Sequence, residues 1–205
     1  AFQENSYVVY DDSMKECFII DPGSSNASED QSLMAFLKNN DLKPIRLLNT
    51  HCHIDHVLGN EFTKVTFKAP LVVPEGEIEV LKSVKAYAPV YGFPLYQEAE
   101  VDEFLEAPGS LSFGNTLLEV IFVPGHSPGH VAYYHKETSR CIGGDVLFYG
   151  SIGRTDLPGG DHQTLIDSIK TKMFALPDDV TVYSGHGPPT TIGHEKQTNP
   201  YCAVT

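Results

Sequence analysis

The chain is short of basic residues, of paired cysteines and of long apolar runs, and each shortage removes a class of function. Fourteen Lys and Arg stand against 27 Asp and Glu, a formal net charge of −13. A surface of that sign repels polyanions, so neither nucleic acid nor an anionic membrane is an expected partner. Cys17, Cys52, Cys141 and Cys202 include no C-x-x-C pair, which leaves neither a zinc knuckle nor a dithiol redox motif. Reduced, buried thiols in a cytoplasmic protein are the expectation. No stretch is apolar for long enough to span a bilayer. The start, Ala1-Phe2-Gln3-Glu4-Asn5, has neither the basic region nor the apolar run of a signal peptide, and without an initiator Met a native start upstream of Ala1 is expected. What remains is 205 residues, 41% hydrophobic and 20% charged, which fits a single globular domain over 1–205 with a core large enough to need no disulfide. Seventeen Gly and 14 Pro indicate many turns and functional loops.

The densest chemistry lies in Thr50-His51-Cys52-His53-Ile54-Asp55-His56, three imidazoles and a carboxylate within six residues. Imidazole nitrogen and carboxylate oxygen are the donors that take zinc, iron or manganese at neutral pH. In extended backbone, residues two apart share a face, so His51, His53 and Asp55 are expected on one side and Cys52 and Ile54 on the other. A turn into a following helix would aim Asp55 and His56 at a second centre. Any single His is by default a core or surface residue; the cluster is what separates these from the rest.

Along the chain, Tyr7–Tyr10 and Cys17–Ile20 read as a hairpin ending at Asp21-Pro22-Gly23. Leu33, Phe36 and Leu37 recur at helical spacing, and 45–49 reads as a buried strand with the His cluster on its C-terminal end. A short helix from Val57, a strand over 70–74 and a helix over 75–87 follow. The segment 88–108 has no period; it reads equally as a solvated connection and as a loop overhanging a site. Strands over 116–123, 131–135 and 180–183 come next, with a hairpin into Gly143-Gly144-Asp145. Asp161 is placed to cap a helix whose Leu165, Ile169 and Met173 fall at four-residue intervals.

Three separate loops after strands each present a donor in a Gly/Pro frame: His126, Asp145 and His186. With the first cluster they make seven. Four donors close one tetrahedral zinc, whereas seven allow two ions with positions open to water, which argues for catalysis over structure.

These segments resemble the metallo-β-lactamase-fold hydrolases, in the glyoxalase II-like branch. His51-Cys52-His53-Ile54-Asp55-His56 after Thr50 matches the family's T-H-x-H-x-D-H. Pro124-Gly125-His126-Ser127-Pro128-Gly129-His130 matches P-G-H-T-P-G-H with Ser for Thr. Gly144-Asp145-Val146-Leu147-Phe148, Ser184-Gly185-His186-Gly187 and Asp21-Pro22-Gly23 are similar to three further family segments. The resemblance implies an α/β (α+β) fold, a four-layer αββα sandwich, and an extra strand before Asn5. It assigns His51, His53 and His126 to a first metal, Asp55, His56 and His186 to a second, and Asp145 to both. His130 is left as a supporting histidine. His135, His162 and His194 lack motif context and are expected on the surface or on helices.

The expected cofactors are two divalent ions, zinc first, with iron or manganese as the other ions this donor set accepts. The resemblance then implies hydrolysis of a small-molecule thioester such as an S-acylglutathione by a hydroxide bridging the ions, with Asp55 as the catalytic carboxylate that orients it and takes its proton. The chain is similar to the short single-domain members, which lack the basic C-terminal region of full-length glyoxalase II. Arg154 is the candidate anion contact, against a structural salt bridge. The rival readings are a persulfide dioxygenase with one iron, a β-lactamase, disfavoured because many of those carry Cys where Asp145 stands, and a non-catalytic metal-binding protein. Nothing in the sequence specifies an oligomeric state.

Overall fold

The chain opens as the expected hairpin: β1 (Tyr7–Tyr10) pairs antiparallel with β2 (Glu16–Ile20), Val8 facing Ile19 and Tyr10 facing Cys17. The computed structural model describes residues 2–204 and divides them into two compact units, one of residues up to 105 with 112–116, the other of 106–111 with residues from 117 onward.

The hairpin turn of the first unit is wound around a single carboxylate. Asp11 accepts from Ser13 Oγ (2.6 Å) and from the backbone N–H groups of Ser13 (2.8 Å), Met14 (3.0 Å) and Asn115 (2.6 Å), which ties residues 11–14 to the turn at 114–115. The Ser13 hydroxyl first, then the Met14 and Asn115 amides, hold this carboxyl far below its ordinary value of 3.8. The unfolded chain therefore binds the proton more readily, so the contribution to stability is complete above about pH 4 and is lost as pH falls toward the folded value. Asp11→Asn lacks that titration and sets an amide nitrogen against the Asn115 N–H. Urea midpoints of parent and variant are expected to differ at about pH 6 and to converge as pH drops below about 4; a constant gap would disprove the linkage.

From β2 onward the first sheet is parallel, in the order β1-β2-β3-β4-β5, with β3 at Lys43–Leu48, β4 at Leu71–Pro74 and β5 at Glu103–Leu105. Parallel neighbours need crossovers, and helices supply them. α1 (Ala27–Asn39) joins β2 to β3, α2 (Ile54–Val57) and α3 (Asn60–Phe67) join β3 to β4, and α4 (Ile78–Tyr87) leads toward β5. Asn26 starts α1 by accepting from the Ser28 and Glu29 amides, donors the first turn cannot satisfy itself. Cys17, Ile19, Leu47, Leu71 and Val73 from the strands meet Leu37 and Leu81 from the helices in one core.

The segment 88–108 is more ordered than its missing period predicts. Ala88–Tyr91 form a 3-10 turn, and Glu103–Leu105 form β5, a sheet-edge strand of which only Leu105 is buried. Its ladder to β4 makes the strand, so no alternation marks it in the sequence. Phe93 and Tyr96 pack on the core of this unit, while Val90 and Leu95 stand exposed.

The second sheet runs β13-β12-β9-β8-β7-β6. β6 (Gly109–Phe113) and β13 (Thr190–Thr191) are its edges; β7 (Thr116–Phe122), β8 (Val131–His135) and β9 (Arg140–Gly144) form an antiparallel meander, and β12 (Thr181–Ser184) lies parallel to β9. β10 (Leu147–Phe148) and β11 (Ser151–Ile152) make a separate small hairpin. α5 (His162–Ser168) begins where Asp161 accepts the Thr164 N–H at 2.7 Å, as its sequence predicts. It runs on as a π turn over Ile169–Met173, and Leu165, Ile169 and Met173 are fully buried. A last helix, α6 (Ile192–Thr198), has no apolar period and is not foreseen by it; Thr191 caps it through the His194 amide. The fold is mixed α/β with several sheets, and no helix among the described residues is long and apolar enough to cross a membrane.

Candidate metal centre

Each unit mounts its own group of donors at the C-terminal ends of strands, where side chains leave the sheet without a ladder to satisfy.

In the first unit, residues 49–53 leave β3 extended, but the alternation that predicts Asp55 beside His51 and His53 ends one residue too early. Ile54 opens α2, with His53 as the extended residue before it (φ −67°, ψ 155°). Asp55 therefore sits with His56 in the first helical turn. His51, His53 and His56 are brought together, with ring centroids 4.8 Å apart for His51 and His53 and 4.1 Å for His51 and His56. Asp55 Oδ2 stands 3.9 Å from His56 Nε2, its side chain 15% exposed where His51 and His56 are fully buried.

Buried polar residues that the motif does not contain set the orientation of these rings. Asp21 accepts the Thr50 N–H (2.7 Å) and the Thr50 hydroxyl (2.6 Å). The hydroxyl oxygen is then an acceptor for His51 Nδ1–H at 3.1 Å, which fixes the tautomer with the lone pair on Nε2. Asp21 Oδ2 also lies 3.1 Å from His56 Nδ1, and Asp21, His51 and His56 each offer an atom within 4.8 Å of the others. Asn49 donates to the His56 carbonyl (3.1 Å) and accepts from Asn60 (2.9 Å). Glu77, fully buried, accepts the Cys52 N–H at 2.9 Å, and Cys52 itself packs in the core, as its facing predicts. Burial pushes the Glu4 carboxyl up to about 9 near His56.

In the second unit the loop after β7 closes on itself, Val123 N–H to His130 O at 2.9 Å, and presents two histidines with opposite commitments. His126 Nδ1 lies 2.7 Å from the Arg154 carbonyl, which has no hydrogen, so Nδ1 is the protonated nitrogen and Nε2 carries the lone pair. His130 Nε2 accepts the Asp145 N–H at 3.0 Å, so its Nε2 lone pair is already used. Asp145 Oδ2 is 3.7 Å from His126 Nε2 and 3.5 Å from His186 Nε2, so this unit gathers its three predicted donors. The Arg154 guanidinium, exposed, forks onto Asp156 at 2.7 and 2.7 Å. His135 and His194 hydrogen-bond locally to Thr138 and Thr198, and His162 is exposed on α5. Phe148 stands edge-on to His186, with centroids 6.3 Å apart.

Imidazoles in fixed tautomers together with carboxylates are the donor chemistry of zinc, iron and manganese, so these residues fit divalent ions. A mixed α/β chain that mounts such groups on strand-end loops has the design of a metal-dependent hydrolase. The chain belongs to the metallo-beta-lactamase superfamily, whose family model matches residues 1–186. It is 38% identical over 203 residues to hydroxyacylglutathione hydrolase GloC of Haemophilus influenzae, covering 98% of this chain and 93% of that protein. Among solved structures, BLEG-1, a B3 metallo-beta-lactamase, is 39% identical with a TM-score of 0.89, covering 99% of this chain and 96% of that one. TTHA1623 in a di-iron-bound form is 34% identical with a TM-score of 0.86, covering 98% and 96%. The expected family and fold are thus found, and the chain is a metal-binding hydrolase of this superfamily.

Proposed function

We propose that this chain hydrolyses small thioesters of the acylglutathione type with two divalent metal ions, in a cytoplasmic, thiol-reducing setting. The observation that carries the reading is the donor set itself: His51 and His126 have their Nδ1 hydrogens directed to Thr50 and Arg154, a tautomer that presents Nε2 as the ligating nitrogen. The likeness to GloC supports the substrate class.

In this reading His51, His53 and His126 would hold one ion and Asp55, His56 and His186 the other, with Asp145 available to either. When bound, the ions supply Lewis acidity, acidifying water toward a pKa of about 7 and polarising a carbonyl. The remaining work falls to the chain. Asp55, the more exposed of the first unit's donors, orients the attacking water and accepts its proton at a carboxylate oxygen. His130 holds Asp145 by its backbone N–H, which anchors the main chain that carries this carboxylate. Phe148 gives the His186 side an apolar wall, and Arg154, exchanging part of its pair with Asp156, meets a substrate carboxylate.

The likeness to BLEG-1 favours β-lactam hydrolysis as a second reading, and the di-iron form of TTHA1623 keeps iron beside zinc. One experiment separates them. Purified protein is analysed for metal, then given S-lactoylglutathione, a β-lactam and, with oxygen uptake followed, glutathione persulfide. Thioester cleavage that is lost on stripping the metal and returns with zinc or iron is the expected result. Faster β-lactam turnover, persulfide-dependent oxygen uptake, or thioester cleavage surviving complete chelation would overturn it.

A further inference from the structure

The metal centre as described makes no use of a carboxylate that is fully buried in α6. Glu195 accepts the Gly150 N–H on both oxygens, at 3.2 and 3.1 Å. The Thr190 hydroxyl donates to its Oε1 and Asn199 Nδ2 to its Oε2, the latter at 2.7 Å. Asn199, 1% exposed, also donates from Nδ2 to the Ser151 carbonyl at 3.0 Å, and its Oδ1 accepts the Tyr201 N–H at 3.0 Å. A buried carboxylate is tolerated only when donors surround it, and here one of those donors, the Gly150 N–H, is the tip of the β10–β11 hairpin, whose Ser151 carbonyl Asn199 also holds.

That hairpin is the chain between Asp145 and Arg154. It leaves Asp145, turns at Gly150 in the left-handed region (φ +65°), and returns to Gly153 and Arg154. Gly153 packs so tightly beneath the start of the hairpin that a Cβ there would stand 1.9 Å from the Asp145 carbonyl oxygen and 3.1 Å from His126 Nδ1. Arg154 then takes the His126 Nδ1–H on its carbonyl. The outgoing leg is pinned as well: Ser184, two residues before His186, donates its hydroxyl to the Leu147 carbonyl at 2.7 Å. A shift of the tip is passed down both legs to the ring of His126 and the backbone of Asp145.

We propose that Glu195 and Asn199 are positioning residues for the metal centre, clamping the hairpin tip so that the Arg154 carbonyl holds His126 in register with Asp145. The inference rests on the reading of His126 and Asp145 as metal donors. It is tested on the cobalt(II)-loaded protein with Glu195→Gln and Asn199→Ala. The first substitution sets an amide nitrogen against the Gly150 or Asn199 N–H, and the second removes the grip on Ser151 while keeping the carboxylate. Both variants are expected to unfold cooperatively, to shift the visible cobalt bands and to lose metal to a chelator about 10–100-fold faster than the parent. Where Glu195→Gln does not fold, Asn199→Ala carries the test alone. Unchanged bands and unchanged metal loss in the folded variants would overturn the clamp and leave the hydrolase reading standing. A parent protein that takes up no cobalt would overturn the donor assignment on which both rest.

Discussion

Asp145→Asn is expected to lower thioester turnover by about 10²–10³-fold with the fold intact, because it removes one charged group from the centre while keeping its shape. The backbone N–H that His130 accepts belongs to residue 145 whatever its side chain, so the loop after β9 keeps its anchor. What goes is a negative charge 3.7 Å from His126 Nε2 and 3.5 Å from His186 Nε2. A divalent ion that loses an anionic donor is held more weakly and is less completely neutralised, so metal per chain should fall along with kcat. The measurement is kcat/KM for S-lactoylglutathione beside elemental analysis, with circular dichroism as the check on folding. Turnover within tenfold of the parent would remove Asp145 from the machinery.

Gly153→Ala is expected to damage stability and activity together. One methyl group at 1.9 Å from a backbone oxygen cannot be absorbed by a side-chain rotation, so the hairpin return must move. Overpacking of this kind costs roughly 1–3 kcal/mol, and a displacement of about 1 Å at catalytic groups costs on the order of 10²-fold in rate. Gly92→Ala is the comparator: it has a positive φ of +93° but open space around the new methyl, so its penalty is confined to backbone strain. Chemical denaturation and steady-state rates on both variants decide the matter. Equal turnover in the two variants would show that Gly153 has no special bearing on the centre.

The candidate donors were legible in the sequence because metal ligation needs particular side chains at ends of strands, and those ends are marked by Gly and Pro around His126, Asp145 and His186. Helix α1 and the strands at 7–10, 131–135 and 181–184 were legible from local period. The alternation that groups Asp55 with His51 and His53 stops at Ile54, where the helix starts, and the turn expected there is what sets Asp55 beside His56. β5 and α6 escaped for a different reason: they are held by a ladder and by a buried polar network, and neither leaves a pattern of apolar residues. The least legible group is the set of carboxylates and amides beneath the donors. Asp21, Asn49, Glu77 and Glu195 are at most 1% exposed, where sequence reasoning places such residues on the surface. Asp21 left a trace in the Asp21-Pro22-Gly23 turn, and Glu77 falls four and seven residues before Leu81 and Val84 on the buried side of α4.

The four cysteines are unpaired and buried, two in each unit. Burial pushes Cys17 and Cys141 up to about 12 and Cys202 up to about 11, and it raises Cys52 as well. Oxidants and electrophiles attack the thiolate, and the folded chain offers none at its surface. Thiol chemistry can reach these four cysteines only through an opening of the unit that hides them, so their rate of modification is governed by how often each unit breathes.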